Sequence, residues 1–174
     1  MIFVTVGTHE QPFNRLVEYM DHLKRDGVLD EEVVMQTGYS TYEPQYCEWQ
    51  ALYPFRTMQA LVRKARIVIT HGGPATFIMP LQEGKTPIVV PRQKQFGEHV
   101  NDHQVAFAKA VAERMGTIIT VVDIDTLGDT IRNYDSIVSG MTGETKSNNA
   151  QFNADLSALV DEMMSDGSKS GKKR

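Results

Sequence analysis

The chain lacks several features that would place it in other classes of protein. Its 174 residues include a single cysteine, Cys47, so no internal disulfide can form and a reducing compartment is expected. No apolar run approaches the roughly 20 residues that a membrane-spanning helix needs. The formal net charge is −4, whereas a protein that binds nucleic acid through bulk charge should be basic. We therefore expect a cytoplasmic protein that does not bind nucleic acid.

Several catalytic and cofactor motifs are also missing. Gly7 follows the first strand pattern without the further glycines of G-x-G-x-x-G, which weighs against a dehydrogenase or epimerase. The triplet Gly84-Lys85-Thr86 resembles the end of a P-loop, but Met79 occupies the place of its first glycine and a strand pattern follows it. No G-x-S-x-G nucleophile motif is present.

Strand-like and helix-like patterns alternate as far as residue 135. Short apolar runs predict strands at 2–6, 32–37, 49–53, 67–69, 87–90 and 117–122. Helical spacing predicts helices at 12–25, 57–65, 99–115 and 123–134, with a further helix after residue 73. This alternation favours an α/β domain over residues 1–135, with a Rossmann-like, doubly wound parallel sheet. Ligands of such sheets bind beyond the carboxyl ends of the strands, where the strand order reverses.

The stretch 66–76 carries the most informative local signal. Its apolar run ends at Gly72 and Gly73, Pro74 suits the first position of a helix, and Thr76 offers a hydroxyl in the first turn. A helix that begins in this way presents N–H groups and the positive end of its dipole, which together favour a phosphate. A tight turn that needs glycine only for its geometry would give the same pattern.

The segment 91–104 follows a buried strand at the same edge and is almost wholly polar. Amides, carboxylates and imidazoles are groups that bind sugar hydroxyls, although solvated polar loops are common. Within the segment, His99 and His103 are four residues apart on a predicted helix and could form a metal pair. A third ligand would be needed, and the polarity of an exposed helix face explains the pair as well.

Four motifs occur together and in order: Gly7-Thr8-His9, the turn 71–76, Gly84-Lys85-x-Pro-Ile-Val-Val-Pro91 and Glu98-His99-x-x-Asn-Asp-His-Gln104. With them the chain resembles the C-terminal, donor-binding domain of family 28 glycosyltransferases. It most resembles the stand-alone version found in two-component bacterial exopolysaccharide and capsule transferases. The eukaryotic split N-acetylglucosaminyltransferase of dolichol-linked glycan synthesis is similar.

The resemblance implies half of a GT-B enzyme, in which two Rossmann-like domains face each other. This chain would bind a UDP-sugar as donor, without a metal or a cofactor. A membrane-associated partner would bind the lipid-linked saccharide acceptor and recruit the complex to the inner face of the membrane. The complex would then be an inverting hexosyltransferase. The alternative is a non-catalytic subunit that binds nucleotide sugar and enhances another chain.

The resemblance also assigns binding residues by position. It places the diphosphate against Gly7, Thr8, His71, Gly72, Gly73 and Thr76. It places uracil against the turn that ends at Phe55, and it places the donor sugar against Gln93, Glu98 and His99. Met79 stands where many relatives carry an acidic residue that binds the ribose hydroxyls. Glu83, one helical turn further on, is a candidate replacement.

Three side chains are candidates for catalysis. A protonated His71, together with the helix N-terminus, would stabilise the charge on the departing diphosphate. His9 or Glu10 would accept the proton of the acceptor hydroxyl, unless the partner chain supplies this base.

Residues 136–165 are interpreted as a linker and an amphipathic helix, and residues 166–174 as a basic, disordered tail. The apolar positions of the helix are Phe152, Leu156, Leu159, Val160, Met163 and Met164. They could pack on the domain itself, which is slightly preferred, or form a docking face for another protein.

Overall fold

The computed structural model describes residues 1–141, 151 and 154–162. Within them, six strands form one parallel sheet. The strands are β1 (Ile2–Thr5), β2 (Val33–Gln36), β3 (Glu48–Gln50), β4 (Ile67–His71), β5 (Ile88–Val90) and β6 (Ile119–Thr120). The α-helices between and after them are α1 (Asn14–Arg25), α2 (Phe55–Lys64), α3 (Pro74–Gln82), α4 (His103–Met115), α5 (Leu127–Arg132) and α6 (Tyr134–Ser139).

The strand order is β3-β2-β1-β4-β5-β6, so the order reverses between β1 and β4. Ile2 of β1 is paired with Val33 of β2 on one side and with Ile67 of β4 on the other. The connections that leave β1 and β4 therefore run in opposite directions and open a crevice between the carboxyl ends of these two strands. The prediction of a Rossmann-like, doubly wound sheet is confirmed.

Helices cover both faces of the sheet, and alternate side chains of each strand pack against them. On one face, Val4 and Ile69 belong to a buried cluster that includes Leu16 of α1 and Leu127 of α5. On the other face, Phe3 and Val68 pack with Val62 of α2, and Val89 packs with Phe77 of α3 and Phe107 of α4. Successive residues of a strand point to opposite faces, so continuous apolar runs are needed when helices cover both.

Lys85, from the triplet that resembles a P-loop, stabilises the C-terminal end of α2. Its ammonium group donates to the carbonyl of Val62 at 2.6 Å and also to the carbonyls of Arg63 and Ala65. The last carbonyls of a helix have no partner inside the helix and lie at its negative end, where a cation is favoured. Lys85 thus caps α2 and does not face the crevice.

The helix predicted at 99–115 begins four residues later than expected, at His103. A short 3-10 turn (Lys94–Phe96) ends at Gly97, whose φ of 68° is left-handed, and the side chain of Asn101 accepts the His103 N–H at 3.0 Å. His99 therefore precedes α4, and the expectation that His99 and His103 share one helix face is wrong. The helix predicted at 123–134 is also divided, into a 3-10 turn (Ile124–Thr126), α5 and α6.

Residues 154–162 form a helix that packs on the domain. Leu156 and Leu159 are 3% and 4% exposed and belong to the cluster that contains Phe107 and Val111 of α4. This favours the interpretation that the apolar stripe packs on its own domain. Phe152, Met163, Met164 and the tail 166–174 lie outside the described residues, as does most of the predicted linker. Among the helices described, none has the length and hydrophobicity that crossing a membrane requires.

We expect Leu159→Ala to lower the free energy of unfolding by about 2–4 kcal/mol, because it removes a buried side chain and leaves a cavity. Ser157→Ala, on the exposed side of the same helix, should change it by less than about 0.5 kcal/mol. Urea unfolding followed by circular dichroism measures both changes. An unchanged stability in Leu159→Ala would instead indicate that the stripe is a docking face.

Candidate functional site

A cavity of about 510 Å³ lies at the crevice where the strand order reverses. Its lining has two chemically different ends. The apolar end consists of Phe55, Met58, Val62 and Met79. The polar end consists of the carboxyl ends of three strands and the turns that follow β1 and β4, and includes Thr5, Gly7, Thr8, His9, Gln36, His71, Gly73 and Thr76. Cavities of this size, with an apolar wall and a few convergent polar groups, are typical of small-molecule sites.

The imidazole of His71 fills the space between two glycine turns. A Cβ atom on Gly7 would lie 2.3 Å from Nε2 of His71, and a Cβ atom on Gly73 would lie 2.3 Å from its Cε1. Gly7 also has a φ of +72°, which side chains rarely allow. Both glycines are therefore required by the close approach of the two turns to one buried ring.

The hydrogen bonds of His71 show which nitrogen carries its proton. The Gly73 N–H donates to Nδ1 at 3.1 Å, so Nε2 holds the proton of the neutral ring and donates to the Thr76 hydroxyl at 2.7 Å. Burial, aided by the nearby charge of Arg92, lowers the pKa of His71 to about 3. The expectation of a protonated His71 is therefore wrong for this structure. Because Thr76 Oγ1 accepts from the ring, its own proton is available to a ligand.

The N–H groups of the glycine turn are mostly occupied within the protein. Gly72 N–H donates to Oε1 of Gln104 at 3.1 Å, and Gly73 N–H donates to His71 as described. Gln104 Oε1 also accepts the Arg92 N–H, and thereby joins the turn to the segment after β5. At the start of α3, Gly73, Pro74, Ala75 and Thr76 line the large cavity.

A buried guanidinium lies behind this polar end. Arg92 is fully buried and donates to the carbonyls of Val6 at 2.7 Å, Gln11 at 2.7 Å and Glu98 at 3.2 Å. Its Nε has no partner among the described residues, and burial lowers its pKa to about 10. At neutral pH Arg92 is still charged, so it contributes a positive potential at the turns after β1 and β4.

The rings of His9 and His99 lie against each other, with centroids 4.7 Å apart and planes inclined by 34°. Nδ1 of His9 accepts the Gln11 N–H at 3.1 Å, so the proton of the neutral ring sits on Nε2. In this arrangement Nε2 of His9 is a hydrogen-bond donor. Desolvation, together with His9 and Arg92, lowers the pKa of His99. Glu10, the other predicted base, is exposed and lines neither this cavity nor the second one described next.

A second cavity of about 250 Å³ adjoins the first, because Gly73 and Pro74 line both. Its polar groups come from His99, His103 and Gln104, and its apolar wall from Phe107 and from Val160 of the C-terminal helix. Two chemically distinct spaces therefore meet at the start of α3.

Gln93 and Glu98, predicted to face a sugar, line neither cavity and are buried. Glu98 accepts two hydrogen bonds from Arg15, at 2.7 and 3.0 Å, and one from the Gln93 N–H at 2.9 Å. The Gln93 side chain donates to the carbonyl of Val122 at 2.8 Å. Both hold the segment 93–98 against the domain, so their contact with a donor sugar stays a prediction.

Of the residues predicted to contact a nucleoside, Phe55 lines the large cavity and Glu83 does not. Glu83 pairs with Arg63 at 3.0 Å, whereas Met79 lines the apolar end. In the part of the chain that the structure describes, no three His, Cys, Asp or Glu side chains are grouped as metal ligands would be.

Two buried polar residues of the large cavity were missed by the sequence analysis, Thr5 and Gln36. They are the last residues of β1 and β2 and are paired across the sheet. The only indication of these two residues in the sequence was that each is a polar residue at the carboxyl end of an apolar run.

Apolar side chains are exposed around the same edge of the sheet. Within the described residues, seven large hydrophobic side chains are exposed. Tyr39, Leu52 and Phe55 lie within five residues of the carboxyl ends of β2 and β3. Phe96 and Val100 lie on the segment between β5 and α4. The loops around the cavities therefore present a discontinuous apolar surface.

The parallel sheet, the reversal of strand order and the glycine turn that opens α3 define a Rossmann-like α/β domain with a ligand site at its switch point. The family model for the glycosyltransferase family 28 C-terminal domain matches residues 1–160. The chain therefore belongs to this family of glycosyltransferase domains. No curated protein matches the sequence.

Solved glycosyltransferases share the fold. The glycotransferase of kitacinnamycin is 21% identical with a TM-score of 0.53, over 94% of this chain and 39% of that one. The spinosyn forosaminyltransferase SpnP is 14% identical with a TM-score of 0.54, over 94% and 39%. The calicheamicin glycosyltransferase CalG4 is 14% identical with a TM-score of 0.50, over 95% and 38%. The chain thus spans about two fifths of the length of these proteins.

We expect Gly7→Ala to destabilise the protein by about 1–3 kcal/mol more than Gly27→Ala, because only the first change forces a methyl group into a buried ring. Both glycines have a φ of +72°, and no atom lies within 4 Å of a Cβ added to Gly27, so the pair isolates the contact with His71. Equal losses of stability, measured by urea unfolding, would show that the ring does not require Gly7.

Proposed function

We propose that this chain is the catalytic, donor-binding subunit of a two-chain glycosyltransferase. It would bind a UDP-sugar and transfer the hexose, with inversion, to a lipid-linked saccharide in exopolysaccharide or capsule synthesis. The observation that carries the proposal is the two-ended cavity at the switch point. The apolar end suits a nucleobase, and the polar end beside the start of α3 suits a diphosphate.

The diphosphate would be stabilised by groups that are already in place. The Thr76 hydroxyl lines the cavity and accepts from His71, so its own proton would be free to donate to the ligand. The N-terminus of α3 and the buried charge of Arg92 add positive potential at the same end. These groups would stabilise the negative charge that develops on the leaving diphosphate, without a metal and without charge on His71.

The transferred sugar would extend from the diphosphate into the second cavity. This cavity begins at Gly73 and offers the imidazoles of His99 and His103 and the amide of Gln104 for hydrogen bonds to hydroxyl groups. His99 is the predicted sugar contact that lines it. His103 and Gln104 extend the set of candidate sugar contacts.

We assign the base of the displacement to Glu10 or to the partner chain, because Nε2 of the other candidate, His9, carries a proton in this arrangement. His9 presents Nε2–H outward and therefore suits donation to a phosphate or a sugar oxygen. The acceptor half is assigned to a membrane-associated partner chain. The exposed apolar side chains around the cavities support a protein surface that is covered in the active complex.

We expect isothermal titration calorimetry to detect UDP binding by the full chain, and Gly73→Arg to abolish it. A Cβ on Gly73 already meets His71, and the longer side chain fills the polar end of the cavity. Gly140→Arg is the control, because the nearest atoms to a Cβ added there are 3.6 Å away or more. Absence of heat from UDP, with and without the partner, would exclude the proposal, and binding by Gly73→Arg would place the phosphates elsewhere.

In the complete two-chain enzyme, we expect Thr76→Val to lower kcat by about 10–100-fold, because one donor to the leaving group is lost. Thr76→Ser keeps the hydroxyl and should retain most of the activity. The measurement is transfer of labelled hexose to the lipid-linked acceptor at saturating donor. Full activity in Thr76→Val would contradict a catalytic role and favour the alternative of a non-catalytic enhancer.

A further inference from the structure

A buried chain of hydrogen bonds connects the two ends of the large cavity. At the polar end, the Gly7 N–H donates to the hydroxyl of Thr5 at 3.3 Å. The amide nitrogen of Gln36 donates to the same hydroxyl at 3.1 Å. The amide oxygen of Gln36 accepts the Tyr53 N–H at 2.9 Å. One side chain therefore joins the turn after β1 to the turn that precedes α2.

The two bonds to Thr5 are buried, and the bond from Tyr53 to Gln36 is partly buried. Thr5 is 1% exposed and Gln36 is 2% exposed, so bulk water does not compete for the bonds to Thr5. Tyr53 is further held by an edge-to-face contact with Phe3, at 6.4 Å between ring centroids. The turn at Tyr53 leads directly into Phe55, which lines the apolar end of the cavity.

The amide of Gln36 supplies both halves of the connection. Gln36 must donate at one end, to Thr5, and accept at the other, from Tyr53. An apolar side chain can do neither. A shorter Asn does not span the same two partners.

We propose that Gln36 is a positioning residue for nucleotide recognition. It sets the separation between the diphosphate end and the base end of the cavity by holding the Tyr53 turn against the turn of Gly7. The inference rests on the proposed function, because it concerns how one nucleoside diphosphate spans both ends. Although Gln36 lines the cavity, its amide nitrogen and oxygen are occupied by Thr5 and Tyr53. It therefore acts on the ligand through the Tyr53 turn, and its loss affects the base more than the phosphates.

The experiment compares UDP with inorganic pyrophosphate, which carries the phosphates alone, by calorimetry on the full chain. Gln36→Met removes both hydrogen bonds of the side chain, and we expect the Kd for UDP to rise about tenfold because the Tyr53 turn is no longer held. The Kd for pyrophosphate should change less than twofold. Thr5→Val should weaken both ligands, because the Gly7 N–H loses its acceptor. Gln50→Met is the control, since Gln50 is exposed on the neighbouring strand β3.

Each outcome either supports or overturns the role that we propose for Gln36. A selective loss of UDP affinity in Gln36→Met supports the proposal, and equal losses for both ligands, or none, overturn it. Circular dichroism checks that the variants fold, and Gln36→Asn, which should show the same selectivity, replaces Gln36→Met if that variant does not fold. If the unaltered chain binds no UDP, the proposed function fails first. If it binds UDP and Gln36→Met binds it equally well, only the role of Gln36 is lost.

Discussion

The packing of one uncharged imidazole between two glycine turns is the constraint on which the site depends. His71 is in van der Waals contact range of both turns only because Gly7 and Gly73 have no side chain. The ring then orients the Thr76 hydroxyl and receives the N–H of Gly73. A charged ring would lose this second bond, because protonated imidazole has no acceptor. Burial therefore keeps the ring neutral, and the neutral ring can both accept the Gly73 N–H and orient the Thr76 hydroxyl.

Polar groups around the crevice are mostly committed to one another. Gln104, Glu98 and Arg92 each join segments that are distant in sequence, and their partners are largely backbone groups. Such a network costs little reorganisation when a ligand arrives, since its dipoles are already oriented. It also explains why few free donors suffice in a site that we propose binds a highly charged group.

The fold was predictable because long-range order follows from local patterns: apolar runs of four or five residues alternate with helical spacing, which leaves few alternatives to a doubly wound sheet. The position of the site followed from the glycines at 72 and 73. The state of His71 was not predictable, because burial decides its charge and depends on packing between segments that are distant in sequence. The start of α4 was missed because 99–102 fits helical spacing, while Asn101 caps the helix two residues before His103.

The apolar side chains on the loops that surround the cavities also affect how the chain behaves in solution. Phe55, Phe96 and Val100 are each more than half exposed on one rim of the molecule. An apolar rim favours self-association as the protein concentration rises, and a net charge of −4 provides only modest electrostatic repulsion against it. Colloidal stability, and with it the yield of isolated protein, should therefore improve when the chain is produced together with whatever covers this rim.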